Sequence, residues 1–233
     1  MTNLVGYELT DSVATITLDD GKVNVLGPAM QTAVNEALDR AEKDAAKTVV
    51  LAGNGRVFSG GFDLTVFQSG DAQAAHGMLA GGFELAVRCL TFPVPVVMAA
   101  TGPAIAMGSF LLLSGDHRVG QPKTRCQAIE VAIGMTIPIA ALEIMRFRLT
   151  PAAYQRGAAL ASTFVGDEAV NGGWLDEIVE ADRVLPRAQE VATELANTVH
   201  TGAHVGTKLK ARESALQAIR AGIDGLATEF SLG

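Results

Sequence analysis

Residues 95–138 restrict the fold more than any other part of this sequence. An apolar run from Val96 to Ala100 is followed by a glycine-bounded turn from Gly102 to Gly108, and a second apolar run begins at Phe110. This order predicts a buried strand, a tight turn and a helix that starts near Met107. The first backbone N–H groups of such a helix have no intrahelical acceptor, and the helix dipole adds partial positive charge there. The turn is therefore a candidate site for an anion.

A second glycine-rich turn occupies residues 53–64 and follows another apolar run, Thr48 to Ala52. It contains the pair Gly60 and Gly61 and supplies another set of free N–H groups. Glu130 is an isolated carboxylate in an otherwise apolar segment. Taken singly, each piece is also typical of the ordinary turns that join strands and helices in α/β proteins. Together they provide two donors and a base, which is what catalysis at a helix N-terminus requires.

In combination these motifs resemble the crotonase superfamily, the enoyl-CoA hydratase/isomerase family, from about Val13 onward. The segment Phe58-Ser59-Gly60-Gly61-Phe62-Asp63-Leu64 is similar to the first oxyanion-hole segment of that family, and residues 95–108 are similar to the second. The resemblance implies that the N–H groups of Phe62 and Met107 hold a thioester oxygen. It also implies the other site residues, namely Glu130 as the catalytic base and Gly60, Gly61, Gly108 and Phe110 as substrate-binding residues.

The sequence departs from the family pattern at two places. Hydratases of the family carry one glutamate where this chain has Phe110 and a second where it has Glu130. The usual Gly-Gly-Gly of the second turn is altered to Ala106-Met107-Gly108.

The number of glutamates bears on the reaction. Hydration of a 2-enoyl-CoA is shared between the two glutamates of the family's hydratases, whereas one base can isomerise a 3-enoyl-CoA to the 2-enoyl form. The sequence therefore favours an enoyl-CoA isomerase that uses Glu130 alone. An enoyl-CoA hydratase is the first alternative, and a non-catalytic acyl-CoA-binding protein is the second.

Two of these residues also have plainer interpretations, and one further glutamate competes with Glu130 for the role of base. Glu130 alternates with Ile129 and Val131, as a solvent-facing carboxylate on a strand edge would. Phe110 can be a core residue that fills space behind the turn. Glu143 is a rival carboxylate, but Arg146 follows three residues later, which is the spacing of an exposed helical ion pair.

Charge and motifs exclude several other functions. The net charge of −7 and the scattered Lys and Arg residues argue against nucleic acid as a partner. Cys89 and Cys126 form no CxxC pattern and have no neighbouring His, so we expect neither a metal site nor a disulfide. No GxGxxG or P-loop is present, which disfavours a nucleotide-binding domain. We expect no cofactor, because coenzyme A would be part of the substrate.

The N-terminal residues lack the features of a signal peptide, and no apolar run reaches membrane-spanning length. We therefore expect a cytoplasmic protein without a membrane partner. The hydrophobic content of 48% predicts that apolar surface is buried between subunits.

The predicted fold class is α/β. Residues 1–181 are expected to form a crotonase-type spiral of strand-strand-helix units that holds the acyl-CoA site. Residues 182–233 are expected to form a helical oligomerisation segment, with helices at Val184 to Asn197 and Gly206 to Phe230. The resemblance implies a homotrimer or a dimer of trimers. We expect Asp116 to brace the end of a strand.

Overall fold

The computed structural model describes residues 4–230, and its strands form an α/β fold with one large sheet and one small one. The strands are β1 (Val5–Thr10), β2 (Val13–Leu18), β3 (Thr48–Ala52), β4 (Val96–Ala99), β5 (Ala104–Ile105), β6 (His117–Gly120), β7 (Cys126–Gln127) and β8 (Glu177–Ile178). The large sheet has the order β1-β2-β3-β4-β6-β8, and β5 pairs with β7 in the small sheet.

Helices surround the large sheet and make up the C-terminal part of the described chain. They are α1 (Pro28–Lys43), α2 (Leu64–Gln68), α3 (Ala72–Thr91), α4 (Met107–Leu113), α5 (Ile139–Arg148), α6 (Pro151–Leu160), α7 (Gly166–Gly172), α8 (Val184–Thr198), α9 (Thr201–Ala211) and α10 (Glu213–Phe230). Short 3₁₀ helices lie at Glu130–Ile133 and Ala181–Arg183.

The large sheet is parallel except at its first pair. β1 and β2 are antiparallel, and β2, β3 and β4 then run parallel with Ile16, Leu51 and Met98 in register. All five residues of β3 are buried, which is typical of a parallel strand covered on both faces. The sequence prediction of a buried strand at Thr48–Ala52 is confirmed, and so is the start of a helix at Met107.

Two apolar clusters cover the two faces of the sheet. The larger cluster packs α1, α3, α4 and α5 against one face. The smaller cluster packs Val184, Ala188 and Val191 of α8 against the other face, where they meet Val50 and Val97. The first helix of the predicted C-terminal segment therefore belongs to the packing of the sheet. The boundary between a core that holds the acyl-CoA site (residues 1–181) and an oligomerisation segment (residues 182–233) stays a prediction. The assembly into a trimer or a dimer of trimers also stays a prediction.

The predicted single helix from Gly206 to Phe230 is wrong, because the structure breaks it at Arg212 into α9 and α10. Arg212 leaves the helical range with a φ of −104° and a ψ of 1°, and its side chain is buried at this point. Its guanidinium donates to Leu90 O at 2.7 Å and to Asp116 Oδ1 at 2.6 Å. The helical period of the sequence continues through this point, so the pattern alone does not reveal the break.

Asp116 lies at the centre of a buried ionic cluster and braces a strand end, as predicted. Its Oδ2 accepts from the backbone N–H of Val96 at 2.8 Å and from Lys208 Nζ at 2.7 Å, while Oδ1 accepts from Arg212. We call Asp116, Lys208 and Arg212 the Asp116 cluster. It ties the junction of α9 and α10 to the beginning of β4.

Candidate active site

The two glycine-rich turns of the sequence lie side by side because of the sheet order. β3 and β4 are adjacent and parallel, so the turns that follow Ala52 and Ala99 leave the same edge of the sheet. Ile105 N donates to Ser59 O at 3.0 Å, which joins one turn to the other. A Cβ atom on Gly108 would lie 2.4 Å from Ser59 O, so only glycine permits this approach.

The N–H groups of Phe62 and Met107 are available at this junction. Neighbouring groups are occupied, since Gly61 N donates to Ser59 Oγ and Ala106 N donates to Gln127 O. Within residues 4–230, the N–H groups of Phe62 and Met107 have no acceptor. Gly61 has a φ of +99°, and a Cβ atom built on it would lie 3.4 Å from Met107 N. The two predicted oxyanion-hole donors are therefore free and belong to touching segments.

Ala106 holds the second turn in a strained backbone conformation. Its φ is 49° and its ψ is −128°, a region in which glycine is normally found. Such a residue costs about 1–3 kcal/mol and persists where its surroundings fix it. Ala106 immediately precedes Met107, so this turn keeps the geometry of a glycine turn although the glycine is replaced.

Asn24 supports the first turn and was missed by the sequence analysis. Its side chain is fully buried, and its Nδ2 donates to Leu18 O at 3.0 Å and to Phe58 O at 3.2 Å. Ser59 Oγ in turn donates to Asn24 O at 2.7 Å. The positive φ of Asn24, 53°, is one that asparagine tolerates better than most residues. An asparagine between the apolar residues Val23 and Val25 is the sequence feature that could have indicated this supporting role.

A cavity of about 500 Å³ opens at this junction. Its lining includes four of the predicted site residues, which are Glu130, Phe62, Phe110 and Gly60. The other three are Gly61, Met107 and Gly108. They lie in the two turns beside the cavity, and the two glycines allow the turns to approach each other closely. The structure thus brings together residues from both turns and from the segment after β7.

Glu130 enters the cavity from the first position of a 3₁₀ helix. Its residue exposure is 8%, which excludes the alternative of a solvent-facing carboxylate on a strand edge. Its Oε2 is buried and has no hydrogen-bond partner among the described residues. Burial raises the pKa of Glu130 to about 7, against an ordinary value of 4.5. A carboxylate with this pKa is suited to taking and returning a proton near neutral pH.

Aromatic rings form one wall of the cavity. Phe110 stacks on Phe83 with centroids 6.4 Å apart, and Phe62 meets Phe83 edge to face at 6.2 Å. Phe67 contacts Phe62 in the same edge-to-face manner at 6.3 Å. Phe110 therefore fills core space and lines the cavity at once. It presents hydrocarbon where the resemblance places a glutamate in hydratases.

Asp63 is a second carboxylate in the lining, and the sequence analysis did not single it out. Its Oδ1 accepts from Thr65 N at 2.9 Å and from Thr65 Oγ1 at 2.7 Å, so it caps the N-terminus of α2. Its position directly before a helix is the sequence feature that could have indicated this capping role. Glu143, by contrast, is absent from this lining and pairs with Arg146 at 3.2 Å, as the sequence predicted.

Within the described part of the chain, no three His, Cys, Asp or Glu side chains group as metal ligands would. No helix among residues 4–230 has the length and apolar character needed to cross a membrane.

Comparison with known proteins assigns the family. The family model described as Enoyl-CoA hydratase/isomerase matches residues 8–227. The chain belongs to this family. The predicted crotonase-type fold is confirmed by solved structures of family members. This protein is therefore an enzyme of the enoyl-CoA hydratase/isomerase family, and an acyl-CoA thioester fits as its substrate class.

Three solved structures illustrate the similarity. An enoyl-CoA isomerase of Mycobacterium tuberculosis is 56% identical, with coverage of 98% of this chain and 100% of that one and a TM-score of 0.95. An enoyl-CoA hydratase of Mycobacterium marinum is also 56% identical, with coverage of 97% and 99% and a TM-score of 0.94. An enoyl-CoA hydratase/isomerase family protein of Pseudomonas syringae is 41% identical, with coverage of 96% of both chains and a TM-score of 0.91. Relatives at equal identity thus carry the names of different reactions.

Proposed function

We propose that this protein isomerises a 3-enoyl-CoA to a 2-enoyl-CoA with Glu130 as its single base. The observation that carries the proposal is the setting of Glu130, a buried carboxylate with a free oxygen in an aromatic-lined cavity. Phe110 lines the same cavity and offers no group that holds or deprotonates water.

The reaction needs only groups that the chain supplies. The thioester oxygen accepts hydrogen bonds from the N–H groups of Phe62 and Met107. Glu130 removes a proton from C2, and the electrons of the broken C–H bond pass into a dienolate whose negative charge rests on that oxygen. The protonated Glu130 then delivers the proton to C4, and the double bond moves from C3–C4 to C2–C3. The reaction neither gains nor loses atoms.

The low polarity of the cavity assists both steps. Each donor that stabilises the oxyanion in such a site contributes about 3 kcal/mol to lowering the barrier. The apolar walls also keep the pKa of Glu130 near 7 and exclude water that would compete for the intermediate.

The two reactions are separated by offering purified protein 3-enoyl-CoA and 2-enoyl-CoA in turn, with double-bond migration and hydration followed independently. We expect migration and little hydration. Asp63→Asn sharpens the test, because asparagine keeps the cap of α2 and removes the second carboxylate from the cavity. A single-base isomerase should retain activity within about threefold, whereas a hydratase that shares its work between Asp63 and Glu130 should lose at least about 10²-fold. Efficient hydration without migration contradicts the proposal.

The pH dependence of the reaction follows from the pKa of Glu130. Only the carboxylate form accepts a proton, so kcat/KM for isomerisation should rise as pH increases through about 7 and then level off. Initial rates measured across this range with one substrate give the midpoint. A midpoint near 4.5, the ordinary value for Glu, would show that the base is not buried in the working enzyme.

Gly61→Ala should lower kcat by roughly 10²-fold, because the added methyl crowds the oxyanion site. Its Cβ would lie 2.9 Å from Ala106 Cβ and 3.0 Å from Ile105 O, beside Met107 N. Gly55→Ala is the matched control, since Gly55 also has a positive φ, 84°, but no atom lies within 4 Å of the new Cβ. Both variants carry backbone strain, and only the first should lose kcat. Equal kcat values in the two would argue against an oxyanion site at this junction.

A further inference from the structure

The second glycine-rich turn is attached to a very small sheet. β5 and β7 have two residues each, and Ile105 of β5 pairs with Gln127 of β7. Directly after β5, Ala106 N donates to Gln127 O at 2.9 Å. A two-stranded pairing of this length is not stable by itself. The position of Ala106, and of Met107 after it, therefore depends on what holds β7.

β7 is anchored on its other side to the residues that follow α6. Cys126 exchanges both backbone hydrogen bonds with Phe164, at 2.9 and 3.0 Å. The next residue, Gln127, donates from its side-chain Nε2 to Ala161 O at 2.8 Å, and this bond is buried. Ala161 is the C-cap of α6, and a carbonyl at the end of a helix has no intrahelical donor. The Gln127 side chain thus satisfies this carbonyl and fixes β7 to the end of α6.

Ala106 needs an anchor because its backbone is strained. Its φ of 49° and ψ of −128° lie in a region that suits glycine, and such a residue keeps its conformation only where its surroundings impose it. The Ala106 carbonyl accepts from Ser109 N and Ser109 Oγ, which belong to the helix that the turn itself begins. The bond from Ala106 N to Gln127 O, by contrast, joins the turn to a different part of the chain.

We propose that Gln127 is a positioning residue of the oxyanion site. Its side-chain hydrogen bond to Ala161 O keeps Ala106 in the strained conformation, and this conformation directs the N–H of Met107 toward the thioester oxygen. The inference rests on the proposed function for the role of that oxygen. Gln127 itself lies outside the described lining of the cavity that contains Glu130. It therefore acts through the backbone that it holds and not by touching the substrate.

Gln127→Met is the first test, because methionine keeps the length of the side chain and removes its amide donor. We expect kcat for migration of the double bond in a 3-enoyl-CoA to fall about tenfold and KM to change less than about twofold, since the displaced donor acts mainly on the transition state. The pH midpoint of kcat/KM should stay near 7, because Glu130 remains buried. A midpoint that moves toward 4.5 would show a general opening of the site and would contradict the proposal.

Gln189→Met is the matched control. Gln189 Nε2 donates to Thr15 Oγ1 at 3.2 Å, and Gln189 belongs to α8, which covers the face of the sheet opposite to α4. This variant loses a comparable side-chain amide bond but leaves β7 untouched. It should keep both kcat and KM of the unchanged protein.

A rescue experiment separates positioning from a general contribution to stability. Glycine adopts the backbone conformation of Ala106 without strain, so a turn with Ala106→Gly no longer needs the anchor. In the Ala106→Gly protein, the further change Gln127→Met should lower kcat by less than about threefold, against about tenfold in the unchanged background. Equal losses in the two backgrounds would overturn the proposal.

A spectroscopic measurement separates this inference from the proposed reaction. A saturated acyl-CoA thioester with an isotope-labelled carbonyl is bound to the protein, and difference infrared spectroscopy records its carbonyl stretch without any turnover. Hydrogen bonds from the N–H groups of Phe62 and Met107 lower the stretching frequency. A smaller shift in Gln127→Met than in Gln189→Met supports the inference even if no isomerisation is found. Equal shifts in the two variants overturn it, whatever reaction the enzyme performs.

Discussion

Replacing Glu130 with Gln should lower the rate of double-bond migration by roughly 10³-fold while the protein remains folded. Glutamine has nearly the same shape but cannot take a proton from C2, and Asp63, the other carboxylate in the described cavity lining, is held in place as the cap of α2. Rates with a 3-enoyl-CoA, together with circular dichroism of the folded protein, provide the measurement. Glu143→Gln is the control, because Glu143 forms an ion pair with Arg146 outside the cavity lining. Undiminished turnover in Glu130→Gln would show that Glu130 is not the catalytic base.

The same substitution should change the stability of the protein in a pH-dependent way. The folded state raises the pKa of Glu130 from 4.5 to about 7, so it binds this proton more tightly than the unfolded state does. The resulting stabilisation is complete below about pH 4.5 and is lost as pH rises through about 7. Above that pH the buried charge costs about 3 kcal/mol, which glutamine avoids. Urea denaturation at pH 8 should therefore show Glu130→Gln to be more stable than the unchanged protein.

Asp116→Ala should destabilise the fold by about 3–5 kcal/mol, because it leaves two buried cations without their anion. The side chains of Lys208 and Arg212 are 2% and 11% exposed, so both cations stay largely buried when the carboxylate is lost. Burial alone would raise the pKa of Asp116, yet Lys208 and Arg212 hold it below its ordinary value. The free energy of unfolding in urea at neutral pH gives the effect.

The control for the Asp116 cluster is an exposed ion pair in the same protein. Asp39 pairs with Arg88, and its side chain is 70% exposed. Asp39→Ala should therefore change the free energy of unfolding by less than about 1 kcal/mol. If Asp116→Ala had an equally small effect, the cluster would not be a determinant of stability.

The sequence predicts those parts of the fold that depend on local pattern. The buried strand at Thr48–Ala52 and the helix beginning at Met107 follow from apolar runs and a glycine turn within about ten residues. The positions of Phe62 and Glu130 in one cavity follow from the family resemblance rather than from spacing. The burial that raises the pKa of Glu130 could be seen only in the structure.

Other features were beyond prediction because they depend on contacts between distant residues. The helix break at Arg212 coincides with an ion pair to a residue 96 positions earlier, and nothing in the local period marks it. Asn24 reaches Phe58, which lies 34 residues further along the chain.

The Asp116 cluster has a consequence for the order of events during protein synthesis. Lys208 and Arg212 are made 92 and 96 residues after Asp116. At ribosomal rates of about 5–20 residues per second, Lys208 and Arg212 are synthesised on the order of 5–20 seconds after Asp116. In that interval the nascent chain has β4 and β6 but lacks the groups that neutralise the carboxylate beside them. The sheet therefore reaches its final ionic state only after α9 and Arg212 have left the ribosome, so the last step of folding is delayed until nearly the whole described chain exists.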